Sequence, residues 1–268
     1  MTLLLVDIGN TRVKWARLVN GKMTQQRAAA HAGWTAADYA KRVIGRGWSQ
    51  PVSAHPASAS PTHRIVVSSV AGDGSRRLFA SAARKAGAPP PEFVTSERTA
   101  AGVTTDYIDP WRLGVDRFVA AIGAHHLASG QHVCVVNVGT AMTIDLIDGS
   151  GRHQGGAICP GPALMVSSLL TDTNGIRRRA SGGPSGASGM FAKTTRNAIG
   201  EGARYAAAGA IDRALEEARI LLGSRPLVIL TGGASADIEP LIRGTTVSVP
   251  DLVLHGLAVW ARQTSPLV

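Results

Sequence analysis

Leu3-Leu-Leu-Val6 runs straight into Asp7-Ile-Gly-Asn-Thr11, and the same form returns where Val133-Cys-Val-Val136 runs into Asn137-Val-Gly-Thr-Ala141. A short apolar run bounded by turn residues reads as a buried strand, and the polar segment after it as a tight turn. Aligning Asp7 with Asn137 and Gly9 with Gly139 gives an offset of 130 in a chain of 268 residues. That spacing predicts two related halves, each opening on a strand and a polar turn. A third apolar run, Leu227 to Leu230, ends in Thr231-Gly-Gly233.

Around these runs lie helix-like stretches at 76–86, 116–127 and 195–222, and strands interleaved with helices indicate α/β architecture. The longest places Ile199, Ala203, Ala206, Ala210, Ala214, Ala218 and Leu221 at three- and four-residue steps, which predicts an Ala-rich packing stripe, with Gly223 as its stop. Loops are expected at 49–63 and 181–189, where Pro, Gly, Ser and Ala accumulate.

The chain is 44% hydrophobic and 17% charged, enough apolar material for a large core, which excludes disordered, collagen-like and coiled-coil chains. Its two cysteines, Cys134 and Cys159, form no CxxC pair, which argues against a disulfide scaffold and a structural zinc site. No leader pattern opens the sequence and no window approaches a membrane span, so a soluble cytoplasmic protein with no membrane partner is expected. The 28 Lys+Arg against 18 Asp+Glu give a formal charge of +10. Through Thr105 the balance is 14 basic to 5 acidic residues, and from Asp106 onward 14 to 13. Such an N-terminal excess suggests a nucleic-acid-binding accessory protein, yet no helix-turn-helix, zinc finger or RNA-recognition motif accompanies it. Nucleic acid is therefore not the expected partner. The 23 Arg against 5 Lys fit a GC-biased coding sequence equally well.

The turn after the first strand combines a carboxylate, a flexible glycine and short hydrogen-bonding side chains. Gly9 lets backbone approach a phosphate, Asn10 and Thr11 donate to its oxygens, Lys14 adds positive charge, and Asp7 can hold Mg²⁺ directly or through water. The alternative is a plain capped hairpin turn. No Walker, Rossmann or protein-kinase signature is present, so a nucleotide site here uses another scheme. A second cluster, Tyr107-Ile-Asp-Pro-Trp-Arg-Leu-Gly-Val-Asp116-Arg117, offers Asp116 as the acid/base candidate, since phosphoryl transfer to an alcohol asks for one carboxylate placed to take a hydroxyl proton. The competing role for Asp116 is to cap the helix starting near Arg117.

Together these residues resemble the type III pantothenate kinases, the Bvg accessory factor homologues, over essentially the whole chain. Asp7 to Lys14 looks like the first phosphate motif, Gly114-Val115-Asp116-Arg117 the substrate motif, Gly139-Thr140-Ala141 the second phosphate motif, Gly155 to Gly161 a Gly-Gly-x-Ile-x-Pro-Gly signature, and Thr231-Gly232-Gly233 the adenosine motif. The resemblance implies two ribonuclease-H-like domains of the actin-like ATPase superfamily with a nucleotide cleft between them, divided here as 1–118 and 119–268. It implies ATP with Mg²⁺ as cofactor, Asp116 as base, and phosphorylation of pantothenate, the first step to coenzyme A. It assigns ATP to Asp7, Gly9, Asn10, Thr11, Lys14, Gly139, Thr140, Gly232 and Gly233, and pantothenate to Tyr107, Gly114, Val115, Arg117 and Thr195. Thr195 stands where the long helix begins and is expected to cap it as well. A homodimer is implied, with the Ala-rich face of 195–222 as one candidate for close packing.

Two departures stand out. Where the family has an aspartate that helps bind K⁺ or NH₄⁺, this chain has Asn137, a neutral ligand that weakens the expected monovalent-cation dependence. After Leu170, Thr171 to Arg179 ends in three arginines and reads as a solvated loop. A kinase of the same superfamily acting on a sugar or other small alcohol is the remaining alternative, which Tyr107 and the Gly114 to Arg117 motif argue against.

Overall fold

The computed structural model describes residues 2–45, 48, 63–181 and 189–264. The loops expected at 49–63 and 181–189 lie outside these residues except at their ends. The chain forms two compact units, Met1–Leu127 with Asp251–Val268, and Ala128–Pro250.

In the first unit, β1 (Thr2–Ile8), β2 (Arg12–Val19), β3 (Lys22–Met23) and β4 (Arg27–Ala30) are followed by a short α1 (Ala36–Tyr39), then β5 (His63–Ser69), α2 (Gly72–Lys85), β6 (Pro91–Phe93), the β7 (Thr99–Ala100) and β8 (Val103–Thr105) pair, and α3 (Val115–Ala128). The sheet runs β3-β2-β1-β5-β6, antiparallel across β3, β2 and β1 and parallel across β1, β5 and β6. The second unit contains β9 (Val133–Val138), β10 (Ala141–Ile147), β11 (Arg152–Pro160), α4 (Pro162–Asp172), α5 (Asn174–Ala180), α6 (Thr195–Leu222), β12 (Leu227–Thr231), α7 (Ser235–Ile238) and β13 (Thr246–Ser248). Its strands are ordered β11-β10-β9-β12-β13, with the same alternation of antiparallel hairpins and parallel neighbours. The half-chain repeat is thus a repeat of topology, and Asp7 and Asn137 sit near the ends of the two central strands.

The last helix, α8 (Leu252–Gln263), packs on β1, β2 and β5 of the first unit. A boundary at 118/119 falls inside α3, and the C-terminal helix groups with the N-terminal residues rather than with the second half. The reason is apolar: Leu252, Leu254, Leu257 and Ala261 of α8 are fully buried. Arg64 adds a polar clasp, pairing both Glu92 oxygens at 2.8 and 2.6 Å and donating to the Ala261 carbonyl at 2.7 Å.

Three expectations about helices change. The residues 171–179 are helical over Asn174–Ala180, so Arg177, Arg178 and Arg179 stand on α5 rather than on a loop. On α6 the buried stripe is Ile199, Ala203, Ala207, Ala208, Ile211, Leu215 and Ala218, while Ala206, Ala210 and Leu221 are exposed. The branched residues Ile211 and Leu215 draw the packing face around the helix, because they bury more apolar area than alanine. The cap of α6 is Thr194, whose hydroxyl accepts from the Asn197 N–H at 3.3 Å, so Thr195 is the first helical residue instead. Gly223 ends the helix in the left-handed conformation, as its position predicts.

Helices α3 and α8 meet at two glycines. A Cβ on Gly123 would stand 2.7 Å from the Leu252 carbonyl oxygen, and one on Gly256 would overlap the Val119 carbonyl. This backbone-to-backbone approach positions α3, and with it the N-terminal turn that carries Asp116. Gly256→Ala is expected to cost about 1–3 kcal/mol or more of stability through overpacking. A urea melt measures it; a variant as stable as wild type contradicts the contact.

Candidate active site

Antiparallel register sets the first half of the site. The turn between β1 and β2 closes with Gly9 N–H donating to the Arg12 carbonyl at 3.0 Å, which places Lys14 directly opposite Asp7. On the other side of β1, parallel pairing with β5 brings Ser68 beside Asp7. Asp7 is 8% exposed and Ser68 fully buried beside it, and among the described residues Asp7 Oδ1 has no hydrogen-bond partner. Burial raises the Asp7 pKa from an ordinary 3.8 to about 6; Lys14 pulls it down and the nearby Asp116 carboxylate pushes it up. Two carboxylates therefore feel one another here. An unsatisfied buried carboxylate oxygen with a second carboxylate in range is a hard oxygen donor set, and it fits Mg²⁺. Asn10 and Thr11 stand exposed at the tip of the turn.

Asp116 is the second residue of α3 and not its cap; its Oδ1 accepts from the Arg117 N–H at 2.9 Å. The first turn of a helix favours a carboxylate through the N-terminal dipole. Gly114 clears its surroundings, because a Cβ at 114 would stand 2.8 Å from Asp116 Oδ1. Arg117 is 5% exposed, donates to the Tyr107 hydroxyl at 2.8 Å, and lies over the Tyr107 ring at 5.6 Å. A planar guanidinium held this way keeps donors in a fixed fork that suits a carboxylate.

Several residues that hold these groups gave no sequence signal. Arg98 donates to the carbonyls of Thr105, Tyr107 and Ile108 at 2.8, 2.8 and 3.0 Å, fastening the segment that carries Tyr107. The Ser96 hydroxyl donates to the Leu113 carbonyl at 2.8 Å, fixing the other end. His31 reaches the Gly9 carbonyl at 2.8 Å. Each is a single polar side chain whose contact, seven to twenty-two residues away, follows no spacing rule that would reveal it.

In the second unit, Gly139 N–H donates to the Ala141 carbonyl at 3.1 Å and Gly161 N–H to the Thr140 carbonyl at 2.9 Å. A Cβ on Gly161 would overlap the Gly139 carbonyl, so only glycine lets the start of α4 rest on this turn. Asn137 pairs with Thr231 and Thr143 on its flanks. Gly232 takes φ +97, and a Cβ there would stand 2.6 Å from Asn137 Oδ1, so the amide packs against the Thr231 to Gly233 segment. Gly233 follows in that segment, and Thr195 lies at the start of α6, half-buried. The expected residues thus fall into two groups: Asp7, Lys14, Tyr107, Gly114, Val115, Asp116 and Arg117 in the first unit, and Asn137, Gly139, Thr140, Thr195, Gly232 and Gly233 in the second. Among the described residues no helix is long and apolar enough to cross a membrane.

A family model described as type III pantothenate kinase matches residues 3–217. A type III pantothenate kinase of Nitrosococcus oceani is 33% identical over 267 residues, covering 98% of this chain and 95% of that protein. One from Halorhodospira halophila is 36% identical over 263 residues, 97% of each. Among solved structures, the activator of 2-hydroxyisocaproyl-CoA dehydratase from Clostridium difficile, with bound ADPNP, aligns over 99% of this chain and 96% of that one, with TM-score 0.54 and 13% identity. That likeness carries the actin-like ATPase fold and nothing finer.

The buried Asp7 makes a prediction. Because its folded pKa lies above its unfolded value, ionising it costs nothing below about pH 4 and up to about 3 kcal/mol above pH 6. Asp7→Asn without nucleotide is expected to be more stable than wild type at pH 8, with the gap closing toward pH 4, while turnover with Mg-ATP is lost. Thermal melts across pH test the sign; a variant less stable at pH 8 than at pH 4, relative to wild type, refutes it.

Proposed function

This chain belongs to the type III pantothenate kinase family, and from that premise we propose how its own residues perform the family's reaction, ATP-dependent phosphorylation of pantothenate in coenzyme A biosynthesis. The observation that carries the assignment of roles is the placement of Asp116 on α3, within electrostatic range of Asp7 and next to the Arg117 and Tyr107 pair.

Asp116 takes the proton of the pantothenate primary hydroxyl. The freed oxygen forms a bond to the γ-phosphorus as the bond to the β,γ-bridging oxygen of ATP breaks, and ADP leaves with those electrons. Charge neutralisation and alignment do most of the work in such a transfer, so a single weakly basic carboxylate suffices as base. Arg117, held by Tyr107, pairs with the pantothenate carboxylate; Gly114 and Val115 line the approach, and Thr195 supplies a hydroxyl to the same substrate. Asn10, Thr11 and Lys14 on one turn, and Gly139 and Thr140 on the other, receive the ATP phosphates, and Gly232 and Gly233 the adenosine. Asp7 would hold Mg²⁺, which would supply charge screening of the phosphates.

The reading includes a homodimer. Its support is the apolar surface of the second unit, where Ile158, Leu164, Leu169, Met190 and Phe191 are exposed, Phe191 at 92%.

Asp116→Asn is expected to lower kcat by about two to four orders of magnitude, the usual worth of a general base, with the KM for ATP little changed. An assay coupling ADP release to pantothenate reads it; equal turnover removes Asp116 as base, and a wild type without pantothenate-dependent turnover removes the assignment. Monovalent cations give a second test. A neutral Asn137 supplies an amide oxygen without charge, so activation by K⁺ or NH₄⁺ is expected to be shallow, and Asn137→Asp to move half-activation to lower concentration. Sharp activation of the wild type at low K⁺ contradicts this.

A further inference from the structure

The first phosphate turn is held from behind by a side chain that nothing in its motif announces. His31 lies just after β4 and is 9% exposed. Its Nε2 lies 2.8 Å from the Gly9 carbonyl oxygen and its Nδ1 lies 2.6 Å from the Tyr39 hydroxyl. A carbonyl oxygen only accepts, so Nε2 carries the hydrogen, and Nδ1 is then the acceptor for the Tyr39 O–H. The opposite tautomer would set the Nε2 lone pair against the Gly9 oxygen. Tyr39 is fixed in turn: it is 1% exposed and packs edge-on against Trp34 at 5.2 Å and Phe79 at 5.6 Å. The His31 backbone N–H points to the Thr11 carbonyl, at a longer 3.4 Å.

A turn that receives phosphate must aim its N–H groups at the ligand and its carbonyls elsewhere, because a carbonyl oxygen facing a phosphoryl oxygen is repulsive. Between β1 and β2 the Gly9 carbonyl is the one most free to rotate, since glycine restricts the backbone least. We propose that His31, oriented by Tyr39, is a positioning residue that holds the Gly9 carbonyl away from the ATP phosphates and so presets the Gly9 to Thr11 turn for phosphate. The chain Tyr39 O–H to His31 Nδ1, and His31 Nε2–H to Gly9 carbonyl, links the turn to the aromatic core of the first unit. The inference rests on the proposed role of this turn in binding ATP; it adds the group that organises it.

The test separates positioning from general support. His31→Phe keeps a ring of similar size and removes both hydrogen bonds; His31→Gln restores an N–H near the Nε2 position; Tyr39→Phe removes only the orienting bond. The measurements are Mg-ATP affinity by calorimetry in the absence of pantothenate, and KM for each substrate. His31→Phe is expected to weaken Mg-ATP binding and raise the KM for ATP about tenfold, the effect of one lost hydrogen bond. The KM for pantothenate should stay within twofold. His31→Gln should recover most of the loss, and Tyr39→Phe should fall between wild type and His31→Phe. Unchanged Mg-ATP affinity in His31→Phe overturns the proposal. So does an equal rise in both KM values with no recovery by His31→Gln, which marks a purely structural role. Failure of the kinase reading shows separately, as a wild type that binds Mg-ATP without pantothenate-dependent turnover.

Discussion

A desolvated carboxylate at the end of β1 dominates the electrostatics of the candidate site in the first unit. Asp7 is buried between Lys14 on one neighbouring strand and Ser68 on the other, with a second carboxylate close enough to oppose its ionisation. Left alone, such a group is a liability, since burying charge without a partner costs free energy. The cost falls on the folded state above about pH 6, where the group ionises.

The other carboxylate, Asp116, reaches its place by packing rather than by charge. Asp116 rides on α3, and α3 is located by contact with α8 at Gly123 and Gly256, where backbones meet without intervening side chains. Helix α8 is in turn seated on β1 and β5, the strands that hold Asp7 and Ser68. The distance between the two carboxylates is thus set through rigid elements, with glycine removing the compliance that side chains would bring. Arg98 and Ser96 complete the arrangement by pinning both ends of the segment that presents Tyr107 and leads into the Gly114 motif.

Much of this was legible before any coordinates. The three apolar runs are the central and neighbouring parallel strands, and 195–222 is a helix at those same limits, because buried strands and a long capped helix leave strong local patterns. The antiparallel strands were not legible. β2 mixes Arg12, Lys14 and Arg17 with its apolar residues, and β11 contains Gly155-Gly156, a poor strand former held by its neighbour β10. The motifs located Asp7, Asp116, Arg117 and Gly232, yet not the groups that hold them, His31, Ser68 and Arg98, whose partners depend on tertiary placement. The N-terminal arginine excess has a partial account of the same kind. Arg17 donates to the Ile44 carbonyl, Arg64 to Glu92 and the Ala261 carbonyl, and Arg98 to three carbonyls, so these side chains fasten backbone and strands of the first unit.

The second unit is an insertion: the chain leaves the first unit after Leu127 and returns to it at Asp251. Synthesis proceeds from the N-terminus, so every residue of the second unit emerges before α8 does. Until α8 arrives, the Gly123 and Gly256 crossing and the Arg64 bond to the Ala261 carbonyl have no partner. The half that carries both carboxylates is therefore the last to close. A chain ending between Gly233 and Asp251 contains the Gly139 and Gly232 turns of the second unit but lacks the helix on which α3 is seated.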